Sequence, residues 1–289
     1  MRYEVETFYD LRFQGAGESV LALDLYLPVS RPKECPTVVY LHGGGWARGS
    51  RADYVEERIL PIVRSGVAVA AASYRFVEAA IWPAQLDDVA RAVEFIGDIA
   101  AEHGLDARRI SLWGASAGGQ LACMAALRPP TKDRINGAVA WFAPTDLESL
   151  SGDPLPEDPI LPHFLQGPWV APTFHFDLVG GRGNGLERKL RDASPISYVT
   201  GNAPPFLLFH GDRDPVVPPA QTARFHQRLI GAGVESHYSL VVGATHEDSL
   251  FHHPSVLGAM IGYIKSLPPL PAAMPASERG VAREGQAHD

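Results

Sequence analysis

The sequence predicts an α/β chain with a mostly parallel central sheet and helices on both faces. Short, nearly continuous apolar runs recur at 37–41, 67–73, 110–113, 137–142, 205–209 and 238–242, as expected of strands buried on both sides. Helical stretches lie between them, and that alternation builds a parallel sheet through right-handed crossovers. Size and composition agree. A chain of 289 residues, 46% hydrophobic and 20% charged, suits one large globular core or two small ones rather than a disordered or fibrous chain.

Taken in order, residues 3–27 alternate as two antiparallel strands do. Val20, Leu23, Leu25 and Leu27 are apolar, Asp24 and Tyr26 lie between them, and Gly15-Ala16-Gly17 supplies the turn. A proline-bounded break at 28–36 precedes the first buried run, 37–41. The clearest helix is 85–102, where Leu86, Val89, Val93, Ile96 and Ala100 recur at steps of three and four. Asp87, Asp88, Arg91 and Glu94 fall on its other face. Two segments break the alternation. Residues 148–192 are rich in Pro, Gly and aromatics (Phe164, Trp169, Phe174, Phe176) and read as an inserted lid. Residues 268–289 lack periodicity and read as a frayed tail. The expected organisation is a single domain over 1–267, with no internal repeat.

Composition excludes several functions. The net charge of −8 gives no positive field to hold nucleic acid. Cys35 and Cys123 are too few for a disulfide framework, and Cys123 reads as a small apolar helix residue. Acidic residues at the N-terminus and the lack of a 20-residue apolar run predict a soluble, cytoplasmic chain without a membrane partner.

The chemistry gathers at four loops. Gly114-Ala115-Ser116-Ala117-Gly118 stands between the run 110–113 and a helical run at 120–127. A G-x-S-x-G string arises by chance in roughly one such chain in six, so context decides. At a strand-to-helix turn it forces the serine into a strained, exposed position and requires small neighbours two residues away. The helix beyond points N–H groups to where negative charge develops. His42-Gly43-Gly44-Gly45-Trp46 directly follows the run 37–41. Consecutive glycines expose backbone amides without obstruction, so Gly44, Gly45 and the N–H of Ala117 are the expected oxyanion donors, with Gly43 shaping the turn. His42 reads as a loop anchor.

A serine needs a base, and the base an orienting acid. His210-Gly211-Asp212-Arg213-Asp214 follows the run 205–209. His246 follows the run 238–242. The chain order is Ser116, Asp214, His246, and each sits at a strand C-terminus. Asp214 is preferred over Asp212, which can cap its own turn, and over Asp146, which can fix its loop. His252-His253 and His246-Glu247 lack further ligands at metal spacing. The glycines at 180–185 lack dinucleotide spacing and read as a flexible loop. No cofactor or metal is expected.

Together these loops resemble α/β-hydrolase esterases of the hormone-sensitive-lipase and bacterial acetyl-esterase type. Ser73-Tyr74-Arg75, Trp82-Pro83-Ala84-Gln85-Leu86-Asp87-Asp88 and Ala193-Ser194-Pro195 add to the likeness. The resemblance implies the α/β-hydrolase fold, with Ser116 as nucleophile, His246 as base and then acid, and Asp214 as orienter. It implies carboxylesterase activity on a small-molecule ester. The H-G-G-x-W pattern is also that of kynurenine formamidases, which cleave an N-formyl amide, and some relatives are non-catalytic receptors. Two features depart from the lipase pattern: Ala115 precedes the serine, and only 41 residues precede His42. With so short an N-terminal segment, 148–192 is expected to wall the acyl or alcohol pocket, which favours small soluble esters over long-chain lipids.

Overall fold

The computed structural model describes residues 3–15, 19–32, 34–156 and 174–271. Among these residues eight strands form one sheet: β1 (Val5–Gln14), β2 (Val20–Pro28), β3 (Cys35–Leu41), β4 (Ala68–Ala72), β5 (Leu105–Ala115), β6 (Ala138–Trp141), β7 (Phe206–Gly211) and β8 (Ser236–Val241). The strand order is β1-β2-β4-β3-β5-β6-β7-β8. β2 runs antiparallel to both β1 and β4, and every pairing from β4 to β8 is parallel. The antiparallel start and the mostly parallel sheet are those the alternation predicts. Ala16 and Gly17, the expected turn, lie outside the described residues.

Period-two alternation sorts the strand side chains into two cores. Val39 and Leu41 of β3 face one cluster, whereas Val38 and Tyr40 face the other. Helices cover both faces: α1 (Leu60–Val63), α2 (Ala84–Ile99), α3 (Ala117–Leu127), α4 (Phe174–Leu178), α5 (Leu186–Asp192), α6 (Ala220–Gly231) and α7 (Pro254–Ser266). α2 buries Leu86, Val89, Val93 and Ile96, the stripe read from its spacing. α3 starts three residues earlier than its apolar run suggests and is buried along its whole length, which its composition without a polar face requires.

Order reverses at the centre of the sheet. The chain leaves β3 towards β4 on one side, and leaves β5 towards β6 on the other. Loops diverging in this way open a crevice at the strand C-termini, the usual ligand position in open α/β sheets. Two supports join segments that lie apart in the sequence. Arg75 forks onto buried Asp88, with Nε to Oδ2 at 2.8 Å and Nη2 to Oδ1 at 2.9 Å. Trp46 Nε1 donates to Gln120 Oε1 at 3.1 Å, and Gln120 Nε2 donates to the Ala193 carbonyl at 2.7 Å.

The expected lid at 148–192 carries α4 and α5; Phe164 and Trp169 lie outside the described residues. Pro268 and Leu270 remain tied to the body. Asn136 Nδ2 donates to the Pro268 carbonyl at 3.0 Å, and Leu270 N to the Arg108 carbonyl at 2.8 Å. The rest of the expected tail lies outside the described residues. Among those described, no helix is long and apolar enough to cross a membrane.

Candidate active site

Ser116 occupies the turn from β5 into α3 with φ +53° and ψ −118°, a left-handed conformation that costs an L-residue about 1–3 kcal/mol. The backbone around it is pinned. Ser116 N donates to the Trp141 carbonyl at 2.9 Å, and the Ser116 carbonyl accepts from Gln120 N at 3.0 Å. Glycine is required on both sides. A Cβ on Gly114 would fall 2.1 Å from the Gly118 carbonyl oxygen, and one on Gly118 would fall 2.1 Å from that of Leu41. The helix can therefore approach the end of β3 closely enough to aim Ser116 into the crevice.

The histidine and acid arrive from the loops after β8 and β7. Ser116 Oγ lies 2.9 Å from His246 Nε2, and His246 Nδ1 lies 2.7 Å from Asp214 Oδ2. A carboxylate only accepts, so Nδ1 donates to Asp214 and Nε2 is left to accept from the serine hydroxyl. Asp214 is completely buried and well held: its Oδ1 accepts from Val216 N at 2.8 Å and from Val217 N at 2.9 Å. His210 Nε2 stands 3.2 Å from Oδ2, and His210 Nδ1 is 2.6 Å from Thr222 Oγ1. The Phe142 ring lies edge-on to His246 at 4.8 Å.

Electrostatics reinforce this line. Burial alone would raise the Asp214 pKa, but His246 and the hydrogen bonds from His210 and His246 carry it well below the usual carboxylate range. Burial disfavours a charged His246, yet the Asp214 carboxylate and its hydrogen bond, with the Glu247 charge, hold its pKa above the ordinary value. The two shifts share one cause, a buried ion pair that forms when the ring is protonated.

The other acids stand elsewhere. Asp212 Oδ1 accepts from Gly243 N at 2.6 Å and ties the loops after β7 and β8 together. Asp146 pairs with Arg224 at 3.3 Å.

Beside Ser116 opens a cavity of about 30 Å³, lined by Gly45, Trp46, Ala117, Phe174, His175 and Val217 among others. Gly45 and Ala117, two expected oxyanion donors, thus border the same space as the hydroxyl, whereas Gly44 lines a separate cleft with Arg58 and Glu247. Positive φ falls on Gly44 (+114°) and Gly45 (+61°). At Gly43, expected to shape the turn, an added Cβ would lie 3.3 Å from the Ala115 carbonyl oxygen and 3.4 Å from Ser116 Cβ. His42 anchors the loop. Its Nδ1 lies 2.7 Å from the Gly43 carbonyl, its own carbonyl accepts from Tyr74 Oη at 2.9 Å, and its ring stacks on Tyr74. Burial keeps His42 neutral by lowering its pKa.

A family model, BD-FAE, matches residues 23–229, a span that includes β3, the serine turn and the Asp214 loop. The chain belongs to this family. Among curated proteins, this BD-FAE member is similar to esterase LipQ of Mycobacterium tuberculosis, 27% identical over 242 residues, which cover 80% of this chain and 54% of that protein. It is also similar to esterase LipC of the same organism, 31% identical over 219 residues, covering 72% and 51%. The chain thus spans about half the length of these relatives. A solved structure described as a truncated form of carbohydrate esterase from gut microbiota superimposes with a TM-score of 0.78 at 24% identity. It covers 91% of this chain and 96% of that one. The fold is that of the α/β-hydrolases.

Within this BD-FAE chain, three contributors near the site escaped the sequence reading. Gln120 is the one polar side chain in α3, and a lone polar residue in an otherwise apolar helix was an available signal. His175 has Nε2 3.2 Å from Ser151 Oγ, and burial, with the Arg182 charge, pushes its pKa down to about 4. The third, Arg58, is fully buried and offered no local signal. Among the described residues no group of three or more His, Cys, Asp or Glu is placed to hold a metal. His252 packs against Arg58, and His253 caps α7.

Proposed function

We propose that this protein hydrolyses small carboxylic esters through an acyl-enzyme. The observation that carries the reading is the continuous hydrogen-bonded line from Ser116 through His246 to Asp214. His246 Nε2 takes the hydroxyl proton as Ser116 Oγ attacks the carbonyl carbon. Asp214 keeps the ring in the tautomer with Nδ1 protonated and stabilises the imidazolium that forms. Negative charge on the carbonyl oxygen falls to the backbone N–H groups of Gly44, Gly45 and Ala117, where each such donor contributes roughly 3–4 kcal/mol. His246 then gives its proton to the departing alkoxide. Water, deprotonated by the same nitrogen, attacks the acyl-serine and releases acid and free enzyme.

The size of the cavity argues for a short acyl group. The space of about 30 Å³ beside Ser116, walled by Trp46, Leu150, Phe174 and Val217, suits a small apolar group such as the alkyl part of acetyl or propionyl. The esterase names of LipQ and LipC support the same chemistry. The cavity would equally admit a formyl group, which makes an N-formyl amide the second reading. A receptor without catalysis has no need of a strained serine aligned on a histidine. A panel of aryl acetate, butyrate and octanoate with N-formylkynurenine separates these readings. The expected order is acetate over butyrate over octanoate, each abolished in Ser116→Ala. Preference for the formyl amide would move the assignment to a formamidase, and activity surviving in Ser116→Ala would end both.

A further inference from the structure

Glu247 directly follows His246 and adopts φ +55°, a conformation that a non-glycine residue holds only when its surroundings enforce it. Its side chain is held by Arg58, whose Nη2 donates to Glu247 Oε2 at 2.9 Å. Arg58 comes from the turn after the glycine loop, in the five-residue segment Val55–Ile59, and is wholly buried. It also donates through Nη1 to Tyr40 Oη at 2.8 Å and through Nε to His252 Nε2 at 3.2 Å. Tyr54 and Trp141 cover the guanidinium at 4.3 and 5.2 Å. Desolvating such a cation is costly, so its neighbours must be arranged to offset it. The other Glu247 oxygen, Oε1, abuts Gly43, because a Cβ there would fall 2.7 Å from it and 3.4 Å from Ser116 Cβ.

We propose that Glu247, clamped by Arg58, is a positioning residue that holds the His246 loop and the glycine loop in one arrangement around Ser116. The inference rests on the esterase reading for its kinetic consequences. Its geometry joins three segments: the end of β3 with the following turn, the loop after β8, and the turn Ser249–His252. The clamp also has an electrostatic consequence. The groups facing His246 are Asp214 at Nδ1, Ser116 at Nε2, Phe142 against the ring and Glu247 on its own loop. His210 acts through Asp214, and Arg58 and His252 stand behind Glu247. The Glu247 carboxylate favours the imidazolium, and Arg58 tempers that influence.

The two halves of the clamp therefore carry opposite signs. Titration of the His246 ring by NMR, in wild type, Glu247→Gln and Arg58→Met, reads this without activity. Glu247→Gln should lower the midpoint by roughly half a pH unit, and Arg58→Met should raise it by a similar amount. With ester substrate, Glu247→Gln should lower kcat about 10–100-fold, as a misplaced base does, with KM little changed. A packing role alone would not move the midpoints in opposite directions. An unchanged midpoint and a kcat within twofold in Glu247→Gln overturn the proposal. Should Arg58→Met not fold, Glu247→Gln carries the test by itself. If the wild type cleaves no ester, the activity reading fails and the NMR midpoints still decide the clamp.

Discussion

Asp214 and Asp212 stand two residues apart, yet one bonds His246 and the other bonds Gly243 N. Asp214→Asn should lower kcat about 10⁴-fold, because the amide favours the wrong imidazole tautomer. Asp212→Asn should leave kcat within a few-fold and cost about 1 kcal/mol of stability. A denaturant melt beside the kinetics separates the two effects. The proposed mechanism needs a neutral His246 ring, and the ring's pKa is raised. Activity is therefore lost as pH falls through a midpoint above about 6.5, the ordinary imidazole value. A wild-type acid limb centred below that value would contradict the buried pairing. At this scale the sequence was readable wherever a residue's job fixed its local neighbours: Gly114 and Gly118 around Ser116, or the histidine after the last strand. It was silent where the job depended on a distant partner. Arg58 and Glu247 are separated by 189 positions, and no local pattern announces that they meet.

Strands and helices carry the next set of constraints. Continuous apolar runs marked strands covered on both faces, as in β3, β4, β6 and β7. The run at 238–242, expected to be buried on both sides, became β8, an edge strand that leaves Leu240 half exposed. Alternation suited β1, while β2 is buried on both faces from Leu23 onward. The start of α3 was harder to read. Gly118 and Gly119 weaken the helical pattern, and they are present because the helix must approach β3 and Ala143. Two glycine substitutions probe this difference. Gly97, inside α2, has nothing within 4 Å of an added Cβ, so Gly97→Ala should stabilise by about 0.5–1 kcal/mol. Gly118→Ala, colliding with the carbonyls of Leu41 and His42, should instead destabilise strongly and abolish activity together with the serine turn. Thermal melts of both variants check the prediction. A benign Gly118→Ala would mean that the helix does not need its close approach.

Across the whole molecule, the reversal of strand order between β3 and β5 brings the glycine loop and the serine turn together. The loops after β7 and β8 add Asp214 and His246 along the same edge. Strand-to-helix alternation made that edge legible in advance, since a parallel sheet gathers its C-termini. What no periodicity could supply was the shape of the excursion, whose α4 brings Phe174 and His175 against the cavity beside Ser116. The proposed function stands on Ser116 as nucleophile, activated in place by His246 and Asp214. Intact-mass measurement after a fluorophosphonate, followed by peptide mapping, addresses it most directly. One adduct per chain on Ser116 is predicted, absent in Ser116→Ala and strongly slowed in Asp214→Asn. Folded wild-type protein that stays unlabelled, or an adduct at another residue, would contradict it.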